Sequence, residues 1–297
     1  MVRMVQRQLL LAVLMAAMVL VAVRPIYSQK NLNNPDKIGH RTVAHKSIIS
    51  PKNEIAIGRE YATRFESTVE LVQDPVVQRY VTTVAENVVR HSDWKGPLTV
   101  KVVKSPDVDS LSLPGGIIYL KSGLLLSAED EDEIAGAIAH QVAHAAARHW
   151  AADMTKMTIY AMLPSIFVPS ASPQPASPTI RPMGITMACS GFSPSRWVSL
   201  DTPLVLLKLR RQDELEADYL GLQYMYKAGY APSVYVALLR RLASQHGTWE
   251  SVPESFQDMP PVSVRIAQTE KEIRNILPNA PQVAKPSPEF TMMKSRL

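Results

Sequence analysis

The sequence predicts an α+β fold, mainly helical, in which a small β-sheet lies beside one long buried helix. Three observations predict it. Apolar residues recur at helical spacing through several long segments, and two short segments, 98–103 and 117–120, carry strand signals. The stretch from Ile134 to Trp150 is rich in alanine and apolar nearly all round, as a helix inside a core must be.

Residues 1–28 read as an export signal: Arg3 and Arg7 precede an apolar run from Leu9 to Val23, and Tyr27-Ser28 forms the small-residue exit. The run is about 15 residues, short of the roughly 20 that span a bilayer, and a membrane anchor is the alternative if the segment stays uncut. Either way the body is expected outside the cytoplasm, periplasmic or secreted. Residues 29–50 carry Asn31, Asn33, Asn34, Pro35 and Lys37 without a hydrophobic period, and are expected to be a polar linker. The main domain then spans 51–278. Its first helices are expected at Glu54–Glu70 (Ile55, Ile57, Tyr61, Phe65) and Pro75–Val89 (Val76, Tyr80, Val84, Val88), with Asp74-Pro75 as the start signal between them. Leu98, Val100 and Val102 alternate along one strand, and Ile117–Leu120 forms another after the Pro114-Gly115-Gly116 turn, with helices expected on one side of the sheet. The acidic run Glu129–Glu133 leads into the buried helix, where negative charge suits the macrodipole.

From 164 to 200, Pro164, Pro169, Pro173, Pro175, Pro178 and Pro182 argue for a long loop inserted in the domain. A helix resumes after Pro203, runs through Glu214 and Asp218, and stops at Ala228-Gly229. Pro232 opens the next, Ser263–Leu277 is the last, and 279–297 is expected to be a disordered tail.

With 297 residues, 46% of them apolar, the chain can bury a sizeable core, which excludes a wholly disordered protein. The net charge of +5 falls to about +2 once Arg3, Arg7 and Arg24 leave with the signal. No basic stripe with interleaved aromatics is present, so nucleic acid is not an expected partner. The single Cys189 permits neither an intrachain disulfide nor a cysteine-based metal site. Any metal must be held by histidines and carboxylates.

The buried helix contains His140-Gln141-Val142-Ala143-His144. Two histidines four apart stack on one face, a spacing that offers two nitrogens to one zinc ion. The alternative is a pair of core histidines satisfied by neighbouring carbonyls. His149 is the first candidate for a third ligand, but nine residues at about 100° each turn it half a revolution from His140, and no glycine breaks the helix between Ala145 and Ala147. The second candidate lies in Asp213-Glu214-Leu215-Glu216-Ala217-Asp218, where Glu214 and Asp218 share a face. Glu214 could complete a two-histidine, one-carboxylate set, and Asp218 is placed to accept a hydrogen bond from a ligand imidazole. Glu216 reads as part of a solvated face.

These residues resemble a known family. Leu113-Pro114-Gly115-Gly116, Gly123-Leu124-Leu125, Ala139–His144 followed by Arg148-His149, Glu214–Gly221 and Ala228-Gly229-Tyr230-Ala231-Pro232 occur in family order between Glu54 and Leu277. The chain is similar to the HtpX-like and CAAX-prenyl-endopeptidase-like zinc metallopeptidases, of gluzincin type, especially soluble periplasmic members of the BepA type. The resemblance implies a zincin-type domain and one Zn²⁺ held by His140, His144 and Glu214, with Asp218 in support.

The sequence departs from that pattern at Gln141, where the family has glutamate. That carboxylate takes a proton from the attacking water and later delivers it to the leaving amine; a glutamine amide does neither near neutral pH. Losing such a group costs about 10² to 10⁴ in rate. Met259-Pro260 stands where relatives carry His-Pro ahead of an arginine, here Arg265, and the strand lead reads Asp109-Ser110-Leu111-Ser112 where they commonly have Asn-Ala. The expectation is a zinc-binding pseudoprotease that binds peptides or unfolded and misfolded envelope polypeptides, associated with envelope proteins or the membrane surface. Its edge strand would be Ile117, Ile118, Tyr119 and Leu120, open to strand addition. The alternatives are an active zinc metalloendopeptidase with another proton route, and a metal-free helical module.

Overall fold

The computed structural model describes residues 32–167, 189–190, 204–245, 259–277, 280–283 and 285–297, so the expected export signal and most of the expected Pro-rich insertion lie outside the described residues. Helix α1 (Pro51–Glu66) starts where Ser50 accepts a hydrogen bond from Asn53 N, with proline in the first turn, where its missing N–H costs nothing. Helix α2 (Pro75–Arg90) repeats the device with Asp74, and buries Val77, Tyr80, Val81, Val84 and Val88 along one stripe.

Among the described residues four strands form one sheet: β1 (Thr99–Val103), β2 (Ser110–Leu113), β3 (Ile117–Lys121) and the short β4 (Cys189–Ser190), in the order β1-β3-β2-β4. β3 runs parallel to β1 and antiparallel to β2, with Leu111 opposite Tyr119, and β4 pairs antiparallel with β2. The tight β2–β3 turn is made by Gly115 and Gly116, whose positive φ angles of 77° and 85° are costly for any residue with a Cβ. Leu111, Leu113, Ile117 and Tyr119 pack with Ala62 and Phe65 of α1 on one face. Ser110 faces the other way and is hydrogen-bonded by the buried helix. Helices therefore cover both faces, not one as the sequence suggested.

The expected edge strand is also corrected. Ile117, Ile118, Tyr119 and Leu120 are buried in the middle of the sheet, with β1 on one side and β2 on the other, so no free edge is left for an added peptide. The outer side of β1 is itself partly taken, since Val72 N donates to Val102 O and Lys104 N to Glu70 O.

After α3 (Ser122–Ser127), helix α4 (Glu131–Ala147) carries Glu131, Asp132 and Glu133 in its first turn and is capped by Asp130, then is buried from Asp132 to Ala147. It ends at Arg148, which is left-handed (φ 57°) at a cost of about 1–2 kcal/mol for a non-glycine residue. Helix α5 (His149–Phe167) runs through Pro164, which sits in its last turn, rather than stopping before it. Helix α6 (Leu204–Ala228) ends at Gly229, α7 (Pro232–Gln245) follows, and α8 (Val262–Ile276) packs beside both.

Both flanks differ from expectation. In the expected linker, Arg41 and Asp93 form a buried ion pair, Val43 is buried, and His45 N donates to Ala147 O at 2.9 Å. Residues 34–50 thus form a strap on the domain. In the expected tail, a short helix α9 (Pro288–Lys294) buries Phe290 and Met293, and Ser287 Oγ and Tyr80 OH both donate to Glu131 Oε2. Two apolar residues a turn apart suffice to dock a segment too short to show a period. Among the described residues, no helix is long and apolar enough to cross a membrane.

Candidate metal centre

Helices α4 and α6 approach closely because α6 carries Gly221 at the crossing: a Cβ there would lie 3.0 Å from His140 N and 3.1 Å from its Cα. This brings Glu214 to the two histidines. The Nε2 atoms of His140 and His144 are 3.1 Å apart, Glu214 Oε2 is 3.3 Å from the first, and Glu214 Oε1 is 3.4 Å from the second. All three side chains are buried, and their donor atoms lie within 4.8 Å of one another. Four donors about 2.0–2.1 Å from a tetrahedral ion are about 3.3–3.4 Å from each other, which is the scale of these separations. Glu214 Oε2 is buried with no hydrogen-bond partner among the described residues, an acceptor that a cation would satisfy.

Burial pushes the Glu214 carboxyl upward, but the His144 and His140 imidazoles outweigh it and hold the pKa down to about 2. Burial likewise opposes charge on His140, yet Asp218 and Glu214 raise its pKa. Glu214 is therefore held ionised beside the two imidazoles, as a carboxylate ligand must be.

Asp218 stands one turn beyond Glu214 and takes the other side of His140, with Oδ1 3.0 Å from Nδ1. Three hydrogen bonds from two further side chains fix it: Arg265 Nε donates to Oδ2 at 2.7 Å, Arg265 Nη2 donates to Oδ1 at 2.7 Å, and Tyr235 OH donates to Oδ1 at 2.6 Å. Burial alone would raise the Asp218 pKa; the guanidinium drives it well below the carboxylate range. A charged acceptor at Nδ1 draws the ring proton there, so that Nε2 is the nitrogen His140 turns toward His144 and Glu214. Tyr235 on α7 and Arg265 on α8 carry no periodic signal that links them to α4.

Gln141 is fully buried between the histidines. Its Nε2 donates to Ser110 Oγ at 3.0 Å and to Ser110 O at 3.3 Å, while Oε1 has no hydrogen-bond partner among the described residues. The amide is thus turned onto β2, and a carboxylate in its place would face the Ser110 carbonyl.

The helix breaks at left-handed Arg148, so His149 is not carried half a revolution from His140 as a continuous helix would carry it. Arg148 Nε donates to Glu54 Oε2 and Nη2 to Ile49 O, contacts that hold the strained residue and swing His149 back. His149 Nδ1 lies 2.9 Å from His144 Nδ1, so His149 meets a histidine of the centre, and it is not part of the His140, His144 and Glu214 group. Its burial holds it neutral, with a pKa near 4. Glu216 is not on a solvated face either: its Oε2 is 2.8 Å from His45 Nε2 and 3.3 Å from His149 Nε2. On the helical wheel Glu216 falls about 60° from buried Asp213, a sign that it sits at the margin of the inward face.

A buried His-x-x-x-His helix faced by a Glu-x-x-x-Asp helix, beside a small sheet, is the arrangement of a metallopeptidase. The chain belongs to peptidase family M48, whose family model matches residues 75–273. It is 24% identical over 294 residues to the beta-barrel assembly-enhancing protease of Escherichia coli K12, covering 97% of this chain and 56% of that protein. With the putative beta-barrel assembly-enhancing protease of Vibrio cholerae it shares 25% over 253 residues, 83% of this chain and 49% of the other. The mitochondrial metalloendopeptidase OMA1 of Arabidopsis thaliana is 30% identical over 148 residues, 50% of this chain and 26% of that protein. The chain spans about half the length of the beta-barrel assembly-enhancing proteases it matches.

Proposed function

We propose that this chain is an exported M48 protein that holds one zinc ion on His140, His144 and Glu214 and binds extended or misfolded envelope polypeptides, with peptide hydrolysis severely slowed or absent. The observation that carries the reading is the side chain between the histidines: Gln141 is buried, has no titratable group, and donates its amide hydrogens to Ser110. Zinc, when bound, supplies Lewis acidity toward a peptide carbonyl and acidifies water. The chain's own residues then have to move the proton. Glu214 is a ligand in this reading, and both oxygens of Asp218 are taken by Arg265, Tyr235 and His140, so neither is available as a base. Tyr235 points its hydrogen at Asp218. Gln141 would still let a polypeptide sit beside the metal while withholding the proton transfers that split it.

The test measures zinc stoichiometry of the purified chain together with casein turnover by wild type, Gln141→Glu and His140→Ala. The expected result is one zinc per chain in wild type and Gln141→Glu, with turnover by the glutamate variant about 10² to 10⁴ above wild type. Wild-type turnover that His140→Ala abolishes would overturn the inactive reading and establish a metalloendopeptidase with another proton route. A wild-type chain that takes up no zinc would overturn the metal reading.

A further inference from the structure

Beside the centre lies a second group of four donor-bearing side chains, His45, His149, Asp213 and Glu216, whose ligand atoms are also within 4.8 Å of one another. By inventory it looks like a second metal site. The contact that joins it to the first group decides otherwise. His144 Nδ1 and His149 Nδ1 are 2.9 Å apart, and two ring nitrogens at that distance share a single proton. If His144 gives its Nε2 lone pair to a metal, its proton is on Nδ1, so His149 Nδ1 must accept. The hydrogen of neutral His149 is then on Nε2, where Glu216 Oε2 receives it at 3.3 Å. Glu216 Oε2 is also the acceptor for His45 Nε2 at 2.8 Å. With both its nitrogens committed, His149 has no lone pair left for a second ion. Lys156 adds to this, since its ammonium lies 3.8 Å from Asp213 Oδ2 and 3.0 Å from Asp153.

We propose that His149 is a positioning residue for the metal ligand His144, acting through a hydrogen-bond chain that runs His144–His149–Glu216–His45 and ends on the strap. The inference rests on the reading of His144 as a ligand. It extends the centre to a residue upstream of the family match, which begins at residue 75. The strap is built to hold that residue: His45 N donates to Ala147 O at 2.9 Å, Ser47 Oγ to Ala151 O at 2.8 Å, and Ile48 N to Thr155 Oγ1 at 3.1 Å. It spans the break between α4 and α5, where His149 begins the second helix.

The experiment is zinc competition against a chromogenic chelator for the full chain and for His149→Leu and His149→Asn, with the melting temperature of each metal-free protein recorded beside it. Asparagine places its amide oxygen near the position of Nδ1 and keeps the acceptor; leucine fills the space without one. His149→Leu is expected to weaken zinc binding about 10- to 100-fold, and His149→Asn to recover most of that loss. In the zinc-loaded wild type, long-range ¹H–¹⁵N spectra should show the proton on Nδ1 of His144 and on Nε2 of His149, a readout that needs no variant to fold. Equal affinity of wild type and His149→Leu, or equal weakening by both variants, would overturn the chain of hydrogen bonds while leaving the metal centre standing. Two zinc ions in wild type, one of them lost in His149→Leu, would make the cluster a metal site in its own right and overturn the proposal. Wild type that binds no zinc would overturn the centre itself, and this inference with it.

Discussion

Asp218 is the residue on which the geometry of His140 depends, and its charge is tolerable inside the protein only because Arg265 meets both oxygens. A buried carboxylate that loses its partner costs far more than an exposed one, about 3–5 kcal/mol. Arg265→Met is therefore expected to lower the unfolding free energy by about that amount in urea titrations and to weaken metal binding, because Asp218 is freed to turn from His140. Arg265→Lys should recover little, since an ammonium cannot reproduce the two-point contact. A change below about 1 kcal/mol in Arg265→Met would show that the pair is not what holds Asp218. The four residues of the two helical motifs were legible in the sequence because one periodicity governs them, i and i+4 on each helix. His149 was not, because its position follows from Arg148 being left-handed, and that depends on Glu54 and Ile49, far off in the chain. The one local hint is an arginine in the middle of an apolar run, which needs partners if it is to be buried.

Elements that announce themselves by length and period, α1, α2, α4, α6 and α8, fall close to where the sequence places them. The sheet was half legible. β2 is four residues of alternating serine and leucine, too short to stand out, yet it is the strand that covers β3 and removes its free edge. The N-terminus of α4 carries a consequence of packing that the acidic run alone does not reveal. Asp132 accepts a hydrogen bond from Ala231 N, tying α4 to the start of α7, and burial raises its pKa from 3.8 to about 6. A carboxyl whose folded pKa lies above its unfolded value binds its proton more tightly when folded. Its contribution to stability is fully present below pH 3.8 and is lost as the pH rises through about 6. Asp132→Asn keeps an acceptor oxygen for Ala231 N and removes the titration. The stability difference between variant and wild type, followed by urea unfolding, is therefore expected to shift in favour of the variant between pH 4 and pH 7. A difference that stays flat over that range would show that Asp132 ionises as freely in the fold as in the unfolded chain.

At the scale of the whole molecule, the family match covers residues 75–273, while the folded body takes in residues on both sides of it. The strap is fastened at Arg41, whose Nε and Nη2 donate to Asp93 Oδ2 and whose Nη1 donates to Gln223 Oε1 of α6. Gly39 N and Tyr224 OH complete the shell of Asp93. Arg41 and Asp93 are almost wholly shielded, with side-chain exposures of 1% and 0%. The Lys104–Glu70 pair at the sheet margin has exposures of 65% and 70%. The two pairs have the same kind of partners and opposite surroundings, so they should respond differently to loss of the cation. Arg41→Met leaves a buried charge without its partner and is expected to cost about 3–5 kcal/mol, whereas Lys104→Met should cost at most about 1 kcal/mol. Because the strap also carries His45 to Glu216, Arg41→Met should loosen metal binding and Lys104→Met should not. Equal effects of the two substitutions on unfolding and on chelator competition would mean that residues 34–50 lie on the domain without supporting it, and that the body could be cut back to α1 with its centre intact.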